Sequence, residues 1–329
     1  MENKKQLVLD AFNNKETARV PVGFWFHHTK NQRLSAYEHP EMREQNLNGN
    51  KNFFKKFNPD FVKIMSDGYF LEPKTSEFLR NAKSAADLYE LKPIDDNDKW
   101  ILDQVSLVKE LVSSFGGEVL SFYNIFAPLM SFKWSIENGD KKIAEFIKED
   151  KYAVIYALDV ISQNTQKLVK AVFSEGKVDG IYLSVQSVQD ISVGPDTYHE
   201  VVSPSELSIL TLANSLSRTN ILHVCGYQGK RNNLENYKNY PAKVINFASV
   251  VEGVTLENGK KIFKDKAVIG GFDNTADGIL YKGTKEEVQA ETKRLLQNAG
   301  RKGIILGADC TVPPDIDIER LEWVREAAK

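Results

Sequence analysis

Eight short runs of β-branched and aromatic residues punctuate the chain, and their spacing constrains the fold more than any other feature. They are VPVGFWF (residues 20–26), FVKIM (61–65), EVLSFYNIF (118–126), DGIYLSV (179–185), NILHV (220–224), KVINFAS (243–249), AVIGGF (267–272) and GIILGA (303–308). Runs this short and this apolar suit strands buried on both faces of a parallel sheet. Helical patterns separate them. Residues 98–117 space their apolar positions at three and four and end on glycines, and residues 151–176 do the same at greater length. Residues 284–300 open on a threonine cap, carry acids in the first turn and close on Gly300. Eight strand–helix units predict a single (β/α)8 TIM barrel over residues 1–329, with its chemistry at the C-terminal ends of the strands. A doubly wound open sheet is the competing arrangement, but no Gly-rich dinucleotide fingerprint follows the first run.

Composition narrows the function classes. With 42% hydrophobic and 27% charged residues, a chain of 329 residues can bury a full core without covalent staples. A net charge of −2 gives no reason to expect nucleic acid or an anionic membrane as partner. No apolar run reaches the roughly 18 residues that a spanning helix needs. The opening MENKKQLVLDAFNNKE reads as a polar amphipathic helix rather than a signal peptide. Two cysteines cannot build a disulfide framework, so the expected setting is the reducing cytoplasm.

Those two cysteines fall at telling places. His223 and Cys225 end the fifth run, and Cys310 follows the eighth. Residues i and i+2 of a strand face the same side, so His223 and Cys225 can grip one ion, and Cys310 would reach the same rim. A His-Cys-Cys set is the kind of three-ligand group zinc uses in catalytic sites, with a fourth position open. Either cysteine could equally be a small buried hydrophobe, and His223 a satisfied polar group. Other candidates gather at the rim. His27 and His28 follow the first run and can line a ligand pocket, although only one of two adjacent residues can point inward. Tyr123, Phe126, Met130, Phe132 and Trp134 suggest an apolar wall, most of it core.

Beyond these residues, the stretch from HVCG through VIGGFDNTADGILYKGTKEEVQ to GIILGADCTVPPDIDIERLEWVREA resembles the C-terminal third of the uroporphyrinogen decarboxylase superfamily. ARVPVGFWF, DFVKIMSDGYF and SVGPDTYHEVVSP are similar to earlier segments of that superfamily. The resemblance implies a TIM barrel and one of two chemistries. Decarboxylases of the superfamily carry an arginine motif after the first strand, where HHTKNQ stands here (residues 27–32), and a GHG motif matching Ala308, Asp309 and Cys310. Of their further site residues the aspartate after the second strand persists, as Asp67, which implies a catalytic role; Val188 stands for a serine and Phe132 for a tyrosine. The other branch holds zinc-dependent methyltransferases acting between a corrinoid protein and a thiol such as coenzyme M. Their His-x-Cys and later cysteine match His223, Cys225 and Cys310, which implies Zn2+ as cofactor, a small thiol as substrate, and a methylated corrinoid protein as a partner. A homodimer is compatible with the resemblance but not specified by it. Some relatives add an acid from the sixth strand; Asn246 and Ala248 occupy that stretch, so the fourth ligand would be Glu252, Asp67 or water. Asp273 and Asn274 match the superfamily's substrate-facing loop, and His27, His28 and Phe132 complete the expected substrate contacts. The sequence therefore predicts a zinc-dependent thiol methyltransferase. Uroporphyrinogen decarboxylation and a non-catalytic tetrapyrrole- or metal-binding barrel are the alternatives.

Overall fold

A computed structural model describes residues 2–329. Each of the eight runs contains a strand: β1 (Val22–Gly23), β2 (Phe61–Ile64), β3 (Leu120–Phe126), β4 (Gly180–Val185), β5 (Ile221–Val224), β6 (Val244–Phe247), β7 (Ala267–Phe272) and β8 (Ile304–Ala308). All pair in parallel, in the order β1-β8-β7-β6-β5-β4-β3-β2, and so form a nearly closed (β/α)8 barrel. The helices follow the expected caps. Asp98 accepts the Trp100 N–H at the start of Lys99–Ser114, and Thr284 and Glu287 form a reciprocal capping box on Lys285–Ala299. The helix at 151–176 is longer than its pattern suggests. It belongs to Gly139–Ser174, in which Asp150 takes an extended conformation (φ −156°, ψ 99°) and joins two helical stretches.

Strand alternation sorts side chains between the barrel interior and the helix layer. Phe61, Leu120, Phe122, Ile221, Val244, Ala267 and Ile305 fill the lower interior. The N-terminal helix Lys4–Phe12 closes that end, with Val8, Ala11 and Phe12 buried against the strands. The Phe12 and Phe122 ring centroids lie 5.9 Å apart.

No backbone ladder joins β1 to β2, and two buried carboxylates stitch this seam instead. At its lower end Asp60 accepts the Val22 N–H at 2.8 Å and a two-pronged contact from Arg19 at 2.6 and 2.7 Å. At its upper end Asp67 takes the His28 N–H at 3.0 Å and the Thr29 hydroxyl at 3.3 Å, and meets His27 Nδ1 at 2.7 Å. Between them Gly23 lets the Phe61 ring press on β1, since a Cβ at Gly23 would lie 2.2 Å from it. The pairing of β1 with β8 covers only Val22 and Gly23, so Trp25 and Phe26 lie beyond that ladder.

Candidate metal centre

β5 presents His223 to the interior, and Cys225 follows one turn of the pleat later. The Cys225 N–H bonds to the Val185 carbonyl at 2.9 Å, which carries the strand direction past its last paired residue. Cys310 arrives from the far side of the barrel, just beyond β8. Its neighbour Asp309 is buried, and accepts the Ser249 hydroxyl and the Val250 N–H, each at 2.8 Å, so the exit of β8 is tied to the segment after β6. Burial pushes the Asp309 carboxyl up to about 6. The ligand atoms of His223, Cys225 and Cys310 lie within 4.8 Å of one another, and Cys310 Sγ is 3.7 Å from His223 Nε2.

The electrostatics of the trio suit a cation. The neighbouring Cys225 thiol holds the Cys310 thiol well below its ordinary range, and His223 adds to this. Cys225, beside Cys310 and buried, is pushed well above. Burial pushes the His223 imidazole down, so its neutral form offers a lone pair. His223 pairs with Asn246 across the β5–β6 ladder, and the amide interacts with the ring. Asn246 Nδ2 is anchored on the Ile269 carbonyl at 3.0 Å, while Asn246 Oδ1 and His223 Nδ1 are both buried without a hydrogen-bond partner. A proton on Nδ1, on the side of that oxygen, would leave Nε2 free beside the thiols, the second-shell arrangement that ligating histidines favour. Two soft sulfurs and a neutral imidazole fit zinc.

Neither candidate carboxylate completes the set. Both Glu252 oxygens bind Asn232, at 2.9 Å to its N–H and 2.9 Å to its side-chain amide. Asp67 is spent on residues 27–29, so among the described residues no acid joins the three at comparable distance.

The remaining candidates separate. His27 lies beside Asp67 and 6.0 Å from the Phe70 ring, whereas His28 turns outward onto Gly49, where a Cβ would touch its ring. Burial pushes His28 down to about 4. Asp273 accepts the Thr275 N–H at 2.7 Å, and Asn274 donates to the Thr311 carbonyl at 3.0 Å, next to Cys310. Phe132 corrects its expected place: it is fully buried against Phe146, because the helix Pro128–Ser135 turns that face to the core. Its neighbours Lys133 and Trp134 line a cavity of about 470 Å³ with Arg33, Gln186 and Tyr227. Arg33 lies over the Trp134 and Tyr227 rings at 5.1 and 4.9 Å. Gln186 links this cavity to the trio, accepting from Lys133 at 3.0 Å and donating to the Cys225 carbonyl at 3.2 Å.

Sequence reasoning passed over Arg33, one residue beyond the stretch compared with the arginine motif, and Lys63. Lys63 is fully enclosed in the barrel, its Nζ 4.1 Å from the Tyr182 ring centroid and 4.9 Å from that of Trp25. The same rings stand 5.9 and 6.5 Å from the His223 ring. The signal was present: in FVKIM, alternation puts Lys63 on the inward face with Phe61 and Met65.

The sequence model described as Uroporphyrinogen decarboxylase (URO-D) matches residues 3–329. The chain belongs to the URO-D family. No curated protein matches it by sequence. Among solved structures it is similar to a methyltransferase from Methanosarcina mazei, at 14% identity, over 100% of this chain and 98% of that one, with a TM-score of 0.71. It is also similar to a B12-independent methionine synthase from a Shewanella species, at 13% identity over 94% and 97% of the two chains, with a TM-score of 0.54. A putative vitamin-B12 independent methionine synthase from Listeria monocytogenes gives 15% identity, 94% and 95% coverage and 0.55. At these identities the likeness is one of fold, shared by this URO-D family member along nearly its whole length.

Proposed function

We propose that this URO-D family chain is a zinc-dependent methyltransferase that passes a methyl group from a corrinoid or related donor to a thiol. The observation that carries the reading is the convergence of His223, Cys225 and Cys310 at the C-terminal mouth, with no fourth acid, histidine or cysteine beside them among the described residues. The methyltransferase among the similar structures supports it. A bound zinc ion would supply Lewis acidity, bringing the acidity of a coordinated thiol into the physiological range so that sulfur is a competent nucleophile. The chain supplies the rest. Cys225 and Cys310 would hold the ion as thiolates, and His223 through Nε2, with Asn246 fixing its tautomer. Trp25 and Tyr182 floor the site and exclude water beneath it. Asp67 acts by holding residues 27–29 in place. Small thiols, a methylated corrinoid protein as donor and a cytoplasmic setting belong to this proposal.

Decarboxylation of an octacarboxylate suits the mouth less well. Arg33 is its guanidinium in the loop after β1, and Lys133 is already paired with Asp140 at 2.7 Å. Carboxylates buried without cationic partners bind poorly. The deciding experiment is metal analysis of protein purified without added metal. About one zinc per chain is expected, lost in Cys225→Ser and in Cys310→Ser with the fold retained. A metal-free protein with two freely titrating thiols overturns the reading.

A further inference from the structure

Lys63 is a buried ionisable group of the barrel interior that the reading above does not use. Its side chain is enclosed by Trp25 and Tyr182, and no carboxylate among the described residues forms an ion pair with it. The acidic groups that act on it are, in falling order, Cys310, Cys225 and Asp67, and Asp67 is engaged with residues 27–29. Burial pushes the amine down to about 8, and the Trp25 and Tyr182 ring faces beside it are the surroundings that favour a protonated amine. A buried cation without a carboxylate partner is costly, and its place needs a reason.

Counting charge supplies one. A dication held by two thiolates and a neutral imidazole sums to zero. A neutral fourth ligand leaves that sum unchanged, whereas a thiol that releases its proton to solvent adds one negative charge inside a low-dielectric barrel. We propose that Lys63 is a positioning residue for substrate charge: its fixed ammonium, sharing the Trp25 and Tyr182 rings with His223, balances the third thiolate and so selects an anionic sulfur over a neutral ligand at the open position. This deepens the function proposed above and rests on it. It also assigns the residue a selectivity role that neither metal retention nor folding requires.

The test is a pair of affinities on cobalt-substituted protein, read from the ligand-field and sulfur-to-cobalt absorption. One ligand is 2-mercaptoethanol, which binds as the thiolate; the other is imidazole, which binds neutral. Lys63→Met is expected to take up the same one cobalt per chain, to bind 2-mercaptoethanol at least about tenfold more weakly, and to bind imidazole unchanged. Metal-free Lys63→Met is also expected to resist urea at least as well as the parent, since a buried charge gives way to an apolar side chain of similar length. Equal thiol affinity in parent and variant overturns the assignment, as does a parallel loss for both ligands, which would mark a loosened site. Where Met is not accommodated, Lys63→Gln is judged by the same two affinities. A parent protein that takes up no metal overturns the methyltransferase reading itself, an outcome distinct from metal uptake with unchanged thiol selectivity.

Discussion

The two ends of the barrel interior are built from opposite materials. Toward the N-terminal end, Phe12, Phe61, Leu120, Phe122, Ile221 and Val244 pack as an apolar plug. Toward the mouth stand Lys63, His223, Asn246 and Cys225, equally enclosed but polar or ionisable, with Cys310 half-buried beside them. Among the described residues, four of the eight buried side-chain atoms that lack a hydrogen-bond partner lie here: Trp25 Nε1, Tyr182 OH, His223 Nδ1 and Asn246 Oδ1. Unpartnered buried groups are rare and costly, so their concentration at one end marks where stability has been given up for chemistry. The lower end supplies the stability, and the upper end uses it.

Phe122→Ala breaks the comparison hardest. Removing a fully buried ring from the plug is expected to cost about 3–5 kcal/mol of unfolding free energy, measured by urea titration, while the folded fraction keeps its metal. Metal loss in step with stability would show that the ends are not separable.

Glu206 asks whether polar burial is confined to the mouth. It lies in the helix Ser203–Leu216, accepts the Tyr198 and Tyr240 hydroxyls at 2.8 and 2.5 Å, and leaves Oε1 unpartnered. Burial pushes its carboxyl from 4.5 up to about 7. Between these values the folded chain holds a proton that the unfolded chain has released. Its contribution to stability is therefore full below 4.5 and is lost as pH rises through 7. Glu206→Gln should remove up to about 3 kcal/mol of that loss, seen as a parent urea midpoint that falls between about pH 5 and pH 8 while that of the variant stays flat. An unchanged pH slope in the variant would place the proton elsewhere.

Asn246→Ala sharpens the comparison most finely. Freeing the imidazole should weaken metal binding about 10- to 100-fold, or about 1.4–2.7 kcal/mol, in competition with a chelator. Its effect on the urea midpoint of metal-free protein should be smaller than that of Phe122→Ala.

The barrel was legible because a parallel sheet covered on both faces writes itself as apolar runs, and each of the eight contains a strand. The trimmed edges have a local cause: Trp25 and Phe26 share their run's composition but lie past the pairing with β8. His223, Cys225 and Cys310 stood out because cysteine is scarce here and strand ends point to one rim. Less visible were groups whose role depends on a neighbour. Asn246 reads as a missing acid until the Ile269 carbonyl is seen to orient its amide. Phe132 and Trp134 are two residues apart in sequence, and the helix phase that buries one and exposes the other to the cavity is set by packing on Phe146.

The seam between β1 and β2 makes the wall a split ring with a clasp at each end rather than a hoop. The lower clasp, Asp60 with Arg19, sits beside the plug; the upper, Asp67, grips the first residues of the loop that ends in Arg33. A ladder would have spread any strain along several backbone bonds. Here the position of the entrance loop answers to one side chain and to the Gly68 backbone, which donates to the Gln32 carbonyl and accepts the Ala36 N–H. The geometry of the doorway can thus be retuned within this short segment, with the seven strand pairings of the wall left in register.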